Sequence, residues 1–243
     1  MIDTTFDFRS DTPGYGRPRV DPDASSPTLR KYHQLLWSKP LPSGAPFTLG
    51  ATTRGVYLHH RSELGEFRLS SDAVVATLRK KLKRLIEIPD DEAEEFNRVG
   101  YTIGGMMVWP SNRVGGGMTI NGARGFDRSI ADRFDLTLEC IRRYYVGEPG
   151  QTGLLSRTLA RYPEFFALFG DFEGFVDFFF LQDLVHGATS SVRFFIAFED
   201  FTQSPLPVTV DAYRGYRERA IAFVAARNRR IAAYATALSA GSS

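Results

Sequence analysis

The sequence predicts an α+β fold. Its sheet should be small, mixed or antiparallel, with about five or six short strands, packed by several helices and closed by a long C-terminal helix. Three observations predict this. Long stretches carry apolar residues at helical spacing, while the β-prone runs between them are short and follow no regular strand–helix alternation. The segment from Asp211 to about Leu238 keeps near-heptad spacing through Tyr213, Tyr216, Ala220, Phe223, Ile231, Tyr234 and Leu238. The 243 residues, 43% hydrophobic and 24% charged, suffice for one large core that needs no disulfide or metal staple.

Residues 1–25 are rich in Asp, Pro, Gly and Arg and read as an extended arm, with Phe6 and Phe8 as docking points for a single domain over 26–243. Ser26 caps a helix that has Pro27 at its first position, where a missing N–H costs nothing; Leu29, Tyr32 and Leu36 form its inner face, with Leu35 and Trp37 as further candidates for it. The run Lys39-Pro40-Leu41-Pro42 stops it. Strands are predicted at Phe47–Leu49, Val56–His60 and Glu66–Leu69. Ser70 or Ser71 then caps a helix carrying Val74, Val75, Leu78, Leu82, Leu85 and Ile86, with an acidic helical turn at Asp90–Glu95. A hairpin is predicted over 101–121, its strands Tyr101–Trp109 and Met118–Asn121 joined by a glycine-rich loop. One helix follows from Phe126 to Tyr145, then a linker at Gly147–Gly153. Residues 154–186 read as helical with an aromatic core, and Val192–Phe198 as a buried strand.

Charge and cysteine usage exclude several classes. Thirty basic residues against 28 acidic ones leave a net charge of +2, too balanced for a general attraction to nucleic acid. Of the basic residues 25 are Arg and five are Lys, and Arg suits bidentate phosphate or carboxylate contacts. The one cysteine, Cys140, excludes an intrachain disulfide and a thiolate metal cluster, and reads as an inert core thiol. The acidic N-terminus lacks an apolar h-region, and no run of 18 uncharged apolar residues occurs, which predicts a soluble cytoplasmic protein without a membrane span.

Several strings taken together, DFRSDTP, DPDASSPTLRKYHQLLWSKPLPSG, YLHHRSELGEF, TIGGMMVWP, TINGARGFDRSIADRFDLTLECIRRYY and FGDFEGFVDFFFLQDLV, resemble an uncharacterised family of bacterial proteins described only as a domain of unknown function. The resemblance spans nearly the whole chain. It implies a single-domain bacterial protein and carries no activity and no catalytic residue.

Four constellations bear on chemistry. Asn112, Arg113, Asn121, Arg124 and Arg128 surround the glycine-rich turn and the start of the helix after it, where exposed N–H groups and guanidinium groups suit an anion. The glycines do not form G-x-G-x-x-G, and no G-K-[ST] follows. The second is the charged face of that helix, with Asp132, Asp135 and Glu139, read either as a solvated salt-bridged surface or as carboxylates of a cleft. The third is His59-His60-Arg61-Ser62-Glu63. On a strand the two histidines point to opposite faces, which disfavours a shared metal but leaves His59 or His60 as an acid–base group with Glu63 as its orienter. The fourth is the basic run Arg79–Arg84, a surface for a phosphate backbone or an acidic partner.

The leading expectation is a protein binding a phosphate-bearing small molecule or nucleotide through Asn112, Arg113, Asn121, Arg124 and Arg128, with His59, His60, Glu63 and Asp132 as catalytic candidates if it is an enzyme. No metal or cofactor is implied. The alternative is a non-enzymatic interaction protein using Arg79–Arg84 and the N-terminal arm with a protein or nucleic-acid partner.

Overall fold

The structure is a computed structural model, which describes residues 2–51, 58–75, 82, 88–148, 153–187 and 189–240. Its architecture is mixed α+β, with an antiparallel sheet in the order β1-β2-β3-β4. The strands are β1 (Gly50–Ala51), β2 (Leu58–Ser62), β3 (Gly65–Ala73) and β4 (Met106–Pro110). The first is a two-residue stub, so among the described residues three longer strands carry the sheet, fewer than the expected five or six.

Pairing explains the shortfall. The glycine-rich loop does not turn Met106–Pro110 back on itself. β4 instead pairs with β3, with Ser71 opposite Val108 and Asp72 opposite Met107. The expected hairpin over 101–121 is thus absent: Ile103–Gly105 is a 3-10 turn, and Thr119 caps a helix over Ile120–Phe126 by accepting from the Gly122 N–H at 3.1 Å. Every residue of β4 is buried, whereas the expected return strand Met118–Asn121 is largely outside the core and turns helical from Ile120. Ser70 and Ser71 lie inside β3 and cap no helix. The helix expected after them, with the Arg79–Arg84 run, falls outside the described residues apart from Val74, Val75 and Leu82, which are buried. Val192–Phe198 is not a strand; Val192 makes only an isolated bridge to Val185.

The helices are α1 (Pro22–Ser25), α2 (Pro27–Trp37), α3 (Asp90–Gly100), α4 (Ile120–Phe126), α5 (Phe134–Val146), α6 (Leu154–Leu159), α7 (Pro163–Ala167), α8 (Phe172–Phe178) and α9 (Val210–Ala240). Ser26 caps α2 through the Leu29 N–H at 3.1 Å, and its own hydroxyl donates to Asp11 at 2.5 Å. Leu29, Tyr32, Leu36 and Trp37 are buried, whereas Leu35 is exposed. The single helix expected from Phe126 to Tyr145 begins only at Phe134: α4 ends at Phe126, and residues 127–133 are turns and loop. The Asp127 carboxylate accepts from the Ser129 N–H at 3.0 Å and the Leu155 N–H at 2.8 Å, and Ala131 and Asp132 adopt positive φ. A short acidic side chain has here out-competed the helical ladder. Gly147 in the left-handed region ends α5.

The core is continuous and strongly aromatic. Phe165, Phe166, Phe169, Phe172, Phe175, Phe178 and Phe179 are all buried, and Phe169 lies 5.0–5.3 Å from the rings of Phe165, Phe175, Phe178 and Phe179. Residues 2–21 run in turns over this body, with Phe8 fully buried and its N–H bonded to the Tyr101 carbonyl at 3.0 Å. α9 crosses the molecule, burying Tyr213, Tyr216, Ala220, Phe223, Val224, Arg227 and Ile231 at steps of three and four. Arg227, fully buried, clamps three carbonyls: Phe179 at 3.0 Å, Gly104 at 2.9 Å and Met106 at 2.7 Å. Among the described residues no helix is long and apolar enough to cross a membrane.

Candidate functional site

A cavity of about 200 Å³ lies where α1 and α2 meet β2 and β3, with Asp23, Ser26, Arg30, His33, Leu58 and Ser71 in its lining. The spacing of α2 brings His33 to it. One turn further on, Trp37 Nε1–H donates to His33 Nδ1 at 2.8 Å, and His33 Nε2 lies 2.8 Å from the Ser71 hydroxyl. Burial, helped by the nearby Arg227, pushes the His33 imidazole down to about 3. The ring is therefore neutral. With Nδ1 accepting from Trp37, its one proton sits on Nε2 and is donated to Ser71. The pair cannot act as nucleophile and general base, since the imidazole offers Ser71 no lone pair. Ser71 keeps its own proton to donate.

Carboxyl groups collect on one side. Asp21 caps α1, accepting from the Asp23 N–H at 3.4 Å, and accepts from the Tyr101 hydroxyl at 3.5 Å. Burial first, then the charges of Asp21 and Asp72, push Asp23 up to about 9, and the Asp23 carboxyl hydrogen-bonds that of Asp21. Asp72 is pushed up to about 7 by burial, against the pull of Arg124 and with Asp132 and Asp21 adding to the rise. Close carboxylates cannot all ionise, so some hold protons at neutral pH. The Tyr101 phenol is raised for the same reasons, burial first and then Asp21 and Asp23.

Of the nine residues singled out from the sequence, Asn121, Arg124 and Asp132 meet around Asp72, next to the cavity-lining Ser71 and not in the lining itself. Arg124 is fully buried on α4 and donates to Asp72, to Thr137 Oγ1 at 3.1 Å and to the Ala73 carbonyl at 3.4 Å, with Asp132 Oδ1 at 3.7 Å. Its guanidinium also lies 5.6 Å from the ring centres of Trp109 and Phe134. With its nitrogen turned toward Asp72, the Asn121 amide donates to that carboxylate at 3.3 Å. Arg124 is thus engaged by the protein's own carboxylates. Arg128 lies beyond the end of α4, exposed, and shares no face with Arg124.

The other candidates lie elsewhere. His60 is buried between the rings of Phe47 and Phe67, with Nδ1 2.8 Å from the Thr48 carbonyl and Nε2 2.8 Å from the Ser62 hydroxyl. His59 points the opposite way and pairs with Glu66 at 3.0 Å, while Glu63 is exposed in the turn between β2 and β3. Asn112 and Arg113 are exposed on the glycine-rich loop, where Gly115 and Gly116 both adopt positive φ and Arg161 lies so close over Gly117 that a Cβ there would overlap its guanidinium. Tyr162 holds this loop through the Asn112 carbonyl at 2.8 Å.

His33, Ser71 and Asp72 were not singled out as chemical groups, and Asp21 and Asp23 only as a less favoured metal contact. Asp21-Pro22-Asp23 reads locally as a turn, and the Ser71–Asp72 pair as a helix start; only the packing of α1 on β3 makes them one site. Among the described residues no group of three His, Cys, Asp or Glu side chains is placed to hold a metal ion.

No curated protein and no solved structure matches the chain. A family model, described as a family of unknown function (DUF6994), matches residues 2–231, nearly the whole chain. The chain belongs to this family of unknown function.

Proposed function

We propose that this protein binds a small amine in the cavity between α2 and β3, with the Asp21–Asp23 carboxyl pair receiving the ammonium group. The observation that carries this reading is the closeness of Asp21 and Asp72 to Asp23, which lines the cavity, with the Arg124 guanidinium already paired to Asp72. A carboxyl pair that holds a proton for want of a counter-cation exchanges that proton for an ammonium. The volume of about 200 Å³ limits the ligand to a few heavy atoms. The neutral His33 and the Ser71 hydroxyl then serve recognition, and the reading is of a binding site without a nucleophile. Calorimetry with a panel of short mono- and diamines at pH 6–9, in buffers of different ionisation enthalpy, tests it. Binding should release protons at pH 7 and vanish in Asp23→Asn. Failure of every amine to bind, or equal binding by that variant, removes the reading.

A second reading keeps an anion, such as the phosphate of a nucleotide, at the glycine-rich loop. It is favoured by Arg113 and Arg161, which flank the Tyr162 hydroxyl and have no carboxylate partner among the described residues. Here Arg161 takes the part expected of Arg124. Titration of phosphate and ATP against the parent and an Arg113→Ala/Arg161→Ala double variant decides it, with equal or absent binding as the refuting result.

A further inference from the structure

The geometry points to a second ligand site, independent of the cavity above, that takes a small apolar carboxylate in a groove along α9. The groove has a volume of about 280 Å³, and its floor is apolar: Leu184, Phe195 and Phe223, with Ala222 of α9 leaving room above them. Phe195 and Phe223 are buried and their rings lie 6.0 Å apart, so the floor is a fixed part of the core. Two arginines line the same groove, Arg193 and Arg219, both exposed and neither with a carboxylate partner among the described residues.

Both arginines are positioned by the fold. Arg219 donates to the Phe195 carbonyl at 2.7 Å through Nη1, which leaves its other guanidinium donors to a ligand. The backbone of Arg193 is pinned by its N–H to the Leu184 carbonyl at 2.7 Å, next to the Val185–Val192 bridge. The one acidic group in the lining, Asp183, is turned to Arg230 of α9, with Nε at 2.6 Å, and so does not neutralise the pair. An apolar surface with two guanidinium groups that lack a carboxylate partner among the described residues selects a ligand with an apolar body and an anionic head, and a planar carboxylate matches the guanidinium fork. The volume limits that body to a short aliphatic chain or one ring.

Calorimetric titration of the full chain with decanoate, held below its micelle concentration at pH 7.5, tests the proposal. The expected result is one site per chain, weakened about tenfold or more in Arg193→Gln/Arg219→Gln through lost charge-assisted hydrogen bonds. Ala222→Trp, on an exposed position, should fill the groove and abolish binding with folding intact. Decyltrimethylammonium, with the same chain and the opposite charge, should not compete. Absence of decanoate binding, equal binding by the double variant, or competition by the cationic analogue overturns the proposal. Asp23→Asn should leave decanoate binding unchanged, so this site and the amine site stand or fall separately.

Discussion

Replacing Arg124 by Met probes the polar cluster most directly. The guanidinium is fully buried, and Met keeps the aliphatic part of the side chain against Trp109 and Phe134. What is lost is the donor to Asp72, whose side chain is 15% exposed, the 3.1 Å bond to Thr137, and the cation opposite Asp132 at 3.7 Å. Without the cation Asp72 takes up a proton, which at pH 8, one unit above its value of about 7, costs about 1.4 kcal/mol on top of about 1–2 kcal/mol for the lost hydrogen bonds. The total of about 3 kcal/mol should appear at pH 8 as a fall of roughly 6–12 °C in melting temperature for a chain of this size. The sign of the pH dependence follows from Asp72, pushed up to about 7 in the folded protein. A carboxyl raised above its unfolded value destabilises the fold progressively as pH rises through the interval between the two values. Below about 7 Asp72 is neutral in parent and variant alike, so the deficit should shrink by pH 5 to about 1–2 kcal/mol, the remaining hydrogen bonds of Arg124. Urea denaturation at pH 5 and pH 8 measures both values. A loss under about 1 kcal/mol at pH 8, or one that grows as pH falls, refutes the assignment of Arg124 as counter-charge to Asp72.

Three further outcomes are expected. Asp23→Asn should melt higher than the parent at pH 8 and equally at pH 4, because a carboxyl raised to about 9 lowers stability as pH climbs from its unfolded value, and the amide removes that slope. Phe178→Ala should lose about 3–5 kcal/mol in chemical denaturation, since the ring is buried against Phe169 and Phe179, and a melt matching the parent would contradict the packing. Cys140, buried and with its thiol pushed up to about 12, should stay unreactive toward a disulfide reagent in the native protein and react once unfolded.

Some of the molecule was legible in local sequence, and the reason is that local physics decides those parts. The Ser26-Pro27 start of α2 needs only a hydroxyl and a missing N–H within one turn. The apolar stripe of α9 needs only a helical period, and the phenylalanines of 165–179 can be placed nowhere but in a core. The family membership likewise follows from residue strings alone. Strand partners were not legible: β4 pairs with a strand 33 or more positions earlier because that partner covers its apolar edges, and no turn signal announces it. The break between α4 and α5 depends on the Leu155 N–H, which reaches Asp127 from 28 residues away. The candidate site shows the same limit. Arg124 looks in sequence like a surface guanidinium awaiting an anion, but β3 carries Asp72 to it across 52 positions and turns a predicted anion site into the counter-charge of an acidic cluster. Whether a charged side chain is free to bind is set by its through-space neighbours and its burial, and those exist only once the chain has folded.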